Sequence, residues 1–220
     1  KTIVTSELAR AVAQSYGVET VEVLTGFKFI GEKIKEYEQT GEHTYLFGFE
    51  ESYGYLVGTH ARDKDGVVTC MLLAQTACGL AAQGKTLLDG LEDIYARLGY
   101  WKEKTISFTL SGMEGIARIK DTMARLCSER IESFGSRRVK AVRNYNTGVR
   151  TDLCNNSESA LDLPKSNVLY YELEGGWACV RPSGTEPKLK VYLAVKGQNA
   201  AEAQKALEEL EESVRAVVGL

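Results

Sequence analysis

Apolar and polar positions over the first hundred residues switch between two periods. TIVTS (2–6), VETVEVL (18–24) and TYLFGFE (44–50) are short runs rich in β-branched and aromatic residues, and they predict strands. Between them, ELARAVAQSYG (7–17) and FKFIGEKIKEYEQTG (27–41) repeat with a helical period and end at Gly17 and Gly41. Residues 67–83 and TLLDGLEDIYARLG (86–99) predict two further helices, divided by Gly84. The first of these is the most apolar stretch in the chain. Thr69, Gln75 and Thr76 interrupt it and it is short for a membrane span, so it reads as a buried helix. Strands alternating with helices imply a parallel sheet covered on its faces, with ligands expected beyond the carboxyl ends of strands, in the loops after Leu24 and Phe49.

The remaining residues follow a different order. KTISFTL (104–110) predicts a strand, and SGMEGIARIKDTMARLC (111–127) a helix with Ile116, Ile119, Met123 and Leu126 on one face. RRVKAVRNY (137–145) is a strand candidate, whereas TDLCNNSESALDLPKSN (151–167) is polar and turn-rich. VLYYELE (168–174) and WACVRPS (177–183) flank Gly175-Gly176, a hairpin signal. LKVYLAV (189–195) puts Leu189, Val191, Leu193 and Val195 on one face and Lys190 and Tyr192 on the other. A last helix (199–218) carries Ala203, Leu207, Leu210, Val214 and Val217 as a stripe. The expected architecture is a parallel-sheet three-layer α/β domain over 1–99, followed by a smaller α+β domain with a mostly antiparallel sheet over 100–220. Charge shifts at the same point, from net −5 before residue 100 to net +2 after it.

With 44% apolar and 26% charged residues the composition is that of a soluble globular protein. A net charge of −3 argues against nucleic-acid or anionic-membrane partners, which demand a basic face. The opening KTIVTSELARAVAQ has no signal-peptide core. It also begins without Met and directly on a strand-like run, which reads as a cut inside a longer protein. Cys70, Cys78, Cys127, Cys154 and Cys179 lack CxxC spacing and lie mostly in apolar runs, so reduced core thiols in a cytoplasmic protein are expected.

Two loops could carry chemistry. In RPSGTEPKLK (181–190), Arg181 offers a planar fork for phosphate or carboxylate, and Ser183 and Thr185 add hydroxyls. Gly184 lets consecutive amides converge on an anion, and Pro182 and Pro187 stiffen the ends. Glu186 should turn away or pair with a lysine. In GFEESYGYLVGTHARDKDG (48–66), Glu50, Glu51 and Ser52 could accept sugar hydroxyls, bind a metal or simply face solvent. His60 could move a proton or stand exposed, and His43 reads as an exposed turn residue. Lys28, at the start of a helix, could meet an anion or be solvated.

The order GFKFIG, FEESYGY, THARDKDG and RPSGTEPK resembles the α-D-phosphohexomutase superfamily, in particular its phosphoglucomutase/phosphomannomutase enzymes. The likeness covers nearly the whole chain but only the second half of such an enzyme: most of a third domain and all of a fourth. The resemblance implies an isomerase that interconverts hexose 1- and 6-phosphates through a phosphoserine and a bisphosphate. It implies that Glu50, Glu51 and Ser52 hold the sugar, with Lys28 a weaker match. It places Arg181, Ser183, Gly184 and Thr185 on the phosphate that is not being transferred, with Lys190 as a looser match. Lys64, and His60 in the same run, would lie near the reacting phosphate. The EES form, unlike the EMSGH or EQSGH forms of mannose- or glucosamine-preferring relatives, tilts the substrate toward glucose phosphates.

The phosphoserine motif and the aspartate-rich magnesium loop of that family are absent from these residues. Asp63/Asp65 and Glu50/Glu51 do not replace the loop. Mg2+ is therefore expected in the parent enzyme only, and no metal in this fragment. The expected partners are glucose 1-phosphate, glucose 6-phosphate, glucose 1,6-bisphosphate, possible mannose phosphates, and the missing N-terminal domains. The chain alone is expected to bind phosphosugars weakly without turning them over. Two rival readings are a complete non-catalytic phosphosugar-binding module and a hydrolase using a metal held by the Glu and Asp pairs.

Overall fold

The computed structural model describes residues 1–184 and 186–219, which divide into two compact units, Lys1–Gly99 and Tyr100–Leu220. In the first unit, α1 (Glu7–Ser15) starts on a Ser6 side-chain cap. The next helix, α2 (Phe27–Thr40), ends on Gly41 in the left-handed conformation. A hairpin of β1 (Phe47–Phe49) and β2 (Tyr55–Val57) leads to α3 (Gly66–Ala81), capped by Asp65, and α4 (Leu87–Leu98), which opens on a Thr86–Asp89 capping box. A small core forms where Phe27, Ile30 and Ile34 of α2 meet Val23 and Leu56.

The expected strand–helix alternation is not seen: helices come in pairs on either side of one hairpin, and among the described residues the expected parallel pairing is reduced to one bridge. Ile3 N–H donates to Val23 O and Val23 N–H to Lys1 O, joining Thr2 to Val23. In 18–24 only Val23 and Leu24 are buried, so little apolar surface drives a longer ladder. The expectation of a buried helix at 67–83 is overturned. α3 has no buried residue, and Val67, Met71 and Leu73 are all exposed. Two three-residue strands and a half-exposed α4 cannot cover a sixteen-residue helix that is apolar all round. All five cysteines are free, but the expectation that they lie in the core fails for four: Cys70 and Cys78 ride on that exposed helix, Cys127 and Cys154 are exposed elsewhere, and only Cys179 is buried. No helix among the described residues is long and apolar enough to cross a membrane.

The second unit is an antiparallel sheet with two helices. Its elements are β3 (Tyr100–Thr109), α5 (Gly112–Ser128), β4 (Ser133–Phe134), β5 (Arg137–Asn144), β6 (Val149–Asp152), β7 (Ser157–Ala160), β8 (Leu169–Leu173), β9 (Gly176–Pro182), β10 (Lys188–Gly197) and α6 (Ala200–Val218). The strands lie in the order β3-β10-β9-β8-β5-β6-β7, with β4 paired to β5. Residues 151–167 are thus not wholly irregular, since β7 pairs with β6 inside them. β8 and β9 turn through Glu174 and Gly175, whose φ of 69° needs glycine.

Strand β10 is flanked by β3 and β9, and its core face is Leu189, Val191, Leu193 and Val195, as the alternation implies. Tyr192 and Ala194 on the opposite face are buried too, because that face is covered in mid-strand. The α6 stripe packs through Ala203, Ala206, Leu207, Leu210, Val214 and Val218, with Val217 only partly in contact. On α5, Ile119, Met123 and Leu126 enter the core while Ile116 stays half-exposed at its edge.

A polar network ties β5, β6 and β8 together. Arg143 Nε donates to Glu172 Oε1 at 2.6 Å, and Arg150 Nη2 to Glu172 Oε2 at 2.7 Å. Burial pushes the Glu172 carboxyl up, but the hydrogen bonds from Arg150 and Arg143 outweigh it and hold it below its ordinary 4.5. A depressed folded-state pKa contributes stability that is fully present above the unfolded value and lost as pH falls through the folded one. Thermal unfolding of the second unit should therefore shift to lower temperature as pH drops from about 5 toward about 3. Glu172→Gln should flatten that slope, as read by circular dichroism melts across pH.

Candidate functional site

In the first unit the candidate residues gather around the β1–β2 turn. Glu50 N–H donates to Gly54 O at 2.9 Å and closes it. The Glu50 side chain is buried, and its Oε1 accepts from Lys64 Nζ at 2.8 Å, while the lysine itself is half-exposed. Gly54 makes this possible: a Cβ there would sit 2.7 Å from Glu50 Oε1 and 2.9 Å from Lys64 Cδ. The hydrogen bond that Lys64 donates to Glu50 raises the lysine's pKa, so the ammonium stays charged through neutral pH. Its Nζ also lies 5.9 Å above the Phe27 ring at the start of α2. Glu51 is turned elsewhere, its Oε2 accepting from Thr2 Oγ1 at 2.9 Å. As adjacent residues, the two carboxylates do not act as a pair. Ser52 is exposed and has no hydrogen-bond partner among the described residues.

His60 does not join Glu50 and Lys64. Its Nε2 donates to Asp65 Oδ2 at 2.9 Å, and Asp65 Oδ1 accepts from the Val67 and Val68 amides at the start of α3. These bonds, led by that from His60, hold the Asp65 carboxyl below its usual range. His60 thus braces a helix cap. The cap had a signal in the sequence, an Asp directly before an apolar run, that the reading for chemistry passed over. Lys28 is exposed in the first turn of α2, its Nζ 4.8 Å from the neighbouring Phe29 ring. His43 stacks edge-on against Tyr37 and is exposed.

In the second unit, β9 and β10 are joined by the RPSGTEP loop, closed where Ser183 N–H donates to Lys188 O at 2.7 Å. Arg181 stands directly opposite Lys190 in the ladder, and both are half-buried. Neither has an acidic partner among the described residues. Glu186, which could have supplied one, is taken by Lys188 at 3.1 Å. Opposed like charges on neighbouring strands repel, so this arrangement favours an anion between or above them. Gly184 is not at positive φ, and a Cβ there would meet open space, so its backbone does not itself require glycine. Thr185 lies outside the described residues.

A groove of about 600 Å³ opens beside the same loop, between Pro182, Pro187 and the α5 residues Ile116 and Met123. Asn146 and Asn167, hydrogen-bonded to each other at 3.0 Å, form one wall. Arg181 and Lys190 do not line it. Pro182 pairs in register with the core residue Leu189, so alternation turns the basic pair to the other face. Nothing in the sequence pattern marked this groove, because its residues come from four separate segments. Among the described residues no group of three or more His, Cys, Asp or Glu could hold a metal ion. The Mg2+ implied by the resemblance thus has no fitting donor set among the described residues.

This arrangement belongs to a known class of chain. Residues 1–98 match the phosphoglucomutase/phosphomannomutase alpha/beta/alpha domain III, and residues 134–213 match the phosphoglucomutase/phosphomannomutase C-terminal domain. The chain belongs to this family and matches its third and C-terminal domains. It is 37% identical over 208 residues to a phosphoglucomutase of Staphylococcus saprophyticus, covering 94% of this chain and 38% of that protein. To a phosphoglucomutase of Staphylococcus aureus it is 40% identical over 196 residues, covering 89% and 35%. The chain therefore spans little more than a third of the length of the curated relatives it matches. Its fold is similar to that of pp63/parafusin, an exocytosis-sensitive phosphoprotein and phosphoglucomutase from Paramecium, in the open form. There the TM-score is 0.62 at 17% identity over 99% of this chain and 37% of that one.

Gly54→Ala should force the Glu50–Lys64 contact apart and destabilise the first unit by about 1–3 kcal/mol. Urea unfolding checks the stability, and hydrogen exchange at the 50–54 amides should show faster opening of the turn.

Proposed function

We propose that this chain is the sugar- and phosphate-holding half of a phosphohexomutase, an isomerase that interconverts hexose 1- and 6-phosphates. The observation that carries the reading is the Arg181–Lys190 pair. Two half-buried cations face each other across one ladder beside the RPSGTEP loop, and neither has an acidic partner among the described residues. Arg181 would grip a phosphate through its fork, with Ser183, Gly184 and Thr185 closing the loop over it and Lys190 adding charge. Glu50 and Ser52 would accept and donate to the hexose hydroxyls, with Glu51 shaping the same turn and Lys28 as an outer contact. Lys64, held charged by Glu50, would neutralise phosphoryl charge, and His60 would steady the run that carries it.

In the intact enzyme a phosphoryl group would pass from a serine phosphate to the free hydroxyl of a hexose monophosphate. The bisphosphate would turn over, and its other phosphate would return to the serine. Such transfer depends on positioning and charge neutralisation more than on covalent chemistry by the protein. The serine and the magnesium loop would belong to the part of the relatives that this chain does not span. A loop that must accept either phosphate in turn is best built from charge and backbone donors, while sugar preference rests with the β1–β2 turn. The EES form of that turn favours glucose phosphates, and the setting would be cytoplasmic.

Calorimetric titration with glucose 6-phosphate should show weak binding by this chain. Arg181→Ala should weaken it by about 2–5 kcal/mol, as for loss of one partner from a desolvated charge pair; an unchanged isotherm would remove the loop from the site. A coupled assay of glucose 1-phosphate conversion should show no turnover by the chain alone. Turnover at enzymatic rates would sink the assignment of the serine and metal to absent segments.

A further inference from the structure

The β1–β2 turn holds a tyrosine where its backbone favours glycine. With Glu50 N–H bonded to Gly54 O, the residues between are Glu51, Ser52 and Tyr53. The third residue of such a turn often takes the left-handed conformation, which glycine adopts without a steric cost. Tyr53 occupies it at φ 62°. Among the described residues the other non-glycine at positive φ is Asn156, a type that tolerates the region. A bulky aromatic there is an outlier, and such outliers persist where something other than local backbone preference selects them.

Packing does not select this one. The Tyr53 residue is 89% exposed and its ring has no aromatic or cationic neighbour among the described residues. What lies beside it along the turn is polar: the Ser52 hydroxyl, without a partner, and the Glu50 carboxylate, fixed by Lys64. A pyranose presents both chemistries at once, with hydroxyls around its edge and C–H groups across its face. An aromatic face next to hydroxyl-binding groups suits that ligand, since an aromatic residue provides large, rigid apolar contact.

We propose that Tyr53 is a sugar-contacting, specificity-determining residue, whose ring packs on the C–H face of the hexose held by Glu50 and Ser52. This rests on the hexose phosphate reading above. The left-handed backbone at position 53 serves to aim the ring out of the turn toward that ligand.

Tyr53→Gly separates ring from backbone, because glycine fits the conformation better than tyrosine. The variant should be at least as stable as the parent chain in urea and should bind glucose 6-phosphate about five- to tenfold more weakly. Its affinity for inorganic phosphate should be unchanged. Tyr53→Phe should retain sugar phosphate binding. Saturating the aromatic protons should transfer magnetisation to the hexose C–H protons in the parent and Phe chains and lose intensity in the Gly chain. Equal glucose 6-phosphate affinity for the Gly and parent chains would overturn the inference while leaving the hexose phosphate reading standing. If the parent chain binds inorganic phosphate but gains nothing from the attached hexose, that reading fails and this inference with it.

Discussion

The register of β10 against β9 is the constraint on which the second unit rests. Leu189 pairs with Pro182, Lys190 with Arg181 and Val191 with Val180, and the ladder continues without a slip to Val195. Leu189, Val191, Leu193 and Val195 must meet the core, so the alternate positions have no choice of face. The same parity that buries Leu189 places Arg181 beside Lys190. A one-residue slip would empty the core and scatter the basic pair together, and so the hydrophobic effect holds two like charges in a position that electrostatics alone would oppose.

In the first unit the organising contact is smaller and polar. Glu50 is buried at the end of a three-residue strand and is compensated by Lys64 from the other end of the hairpin and its loop. Burying a carboxylate without a partner is costly, so this ion pair fixes the turn as firmly as an apolar contact would. Gly54 gives the pair room, Glu51 is held aside by Thr2, and Ser52 and Tyr53 are left to face outward. The turn is thus organised from below and open above, as a binding turn on a rigid support should be.

Legibility in the sequence followed the strength of the period. The strands at 168–174, 177–183 and 189–195 and the helices α2, α5 and α6 stand where alternation or a helical stripe put them, because each buries a continuous face. The helix at 67–83 was legible as a helix but not in its burial. Hydropathy records what a segment would bury, not whether its unit supplies enough surface to bury it against. The short hairpin β6–β7 was read as irregular because its strands are polar and β7 is exposed throughout. Residue types picked out the two candidate loops, but not the contacts within them: Glu50 and Lys64 are fourteen positions apart, and no local pattern joins them.

The sequence by itself determined the family, through four motifs in order, and most of the regular elements, since periodicity is a local property of the chain. Only the tertiary structure decided which carboxylate of Glu50 and Glu51 meets Lys64, and that His60 supports a helix cap. It likewise decided that Arg181 faces Lys190 with no acidic partner among the described residues, and that Tyr53 stands exposed in a left-handed turn. These depend on which distant segments share space and on the backbone angle at single residues. Register and burial set both, and neither is encoded in a local run of residue types.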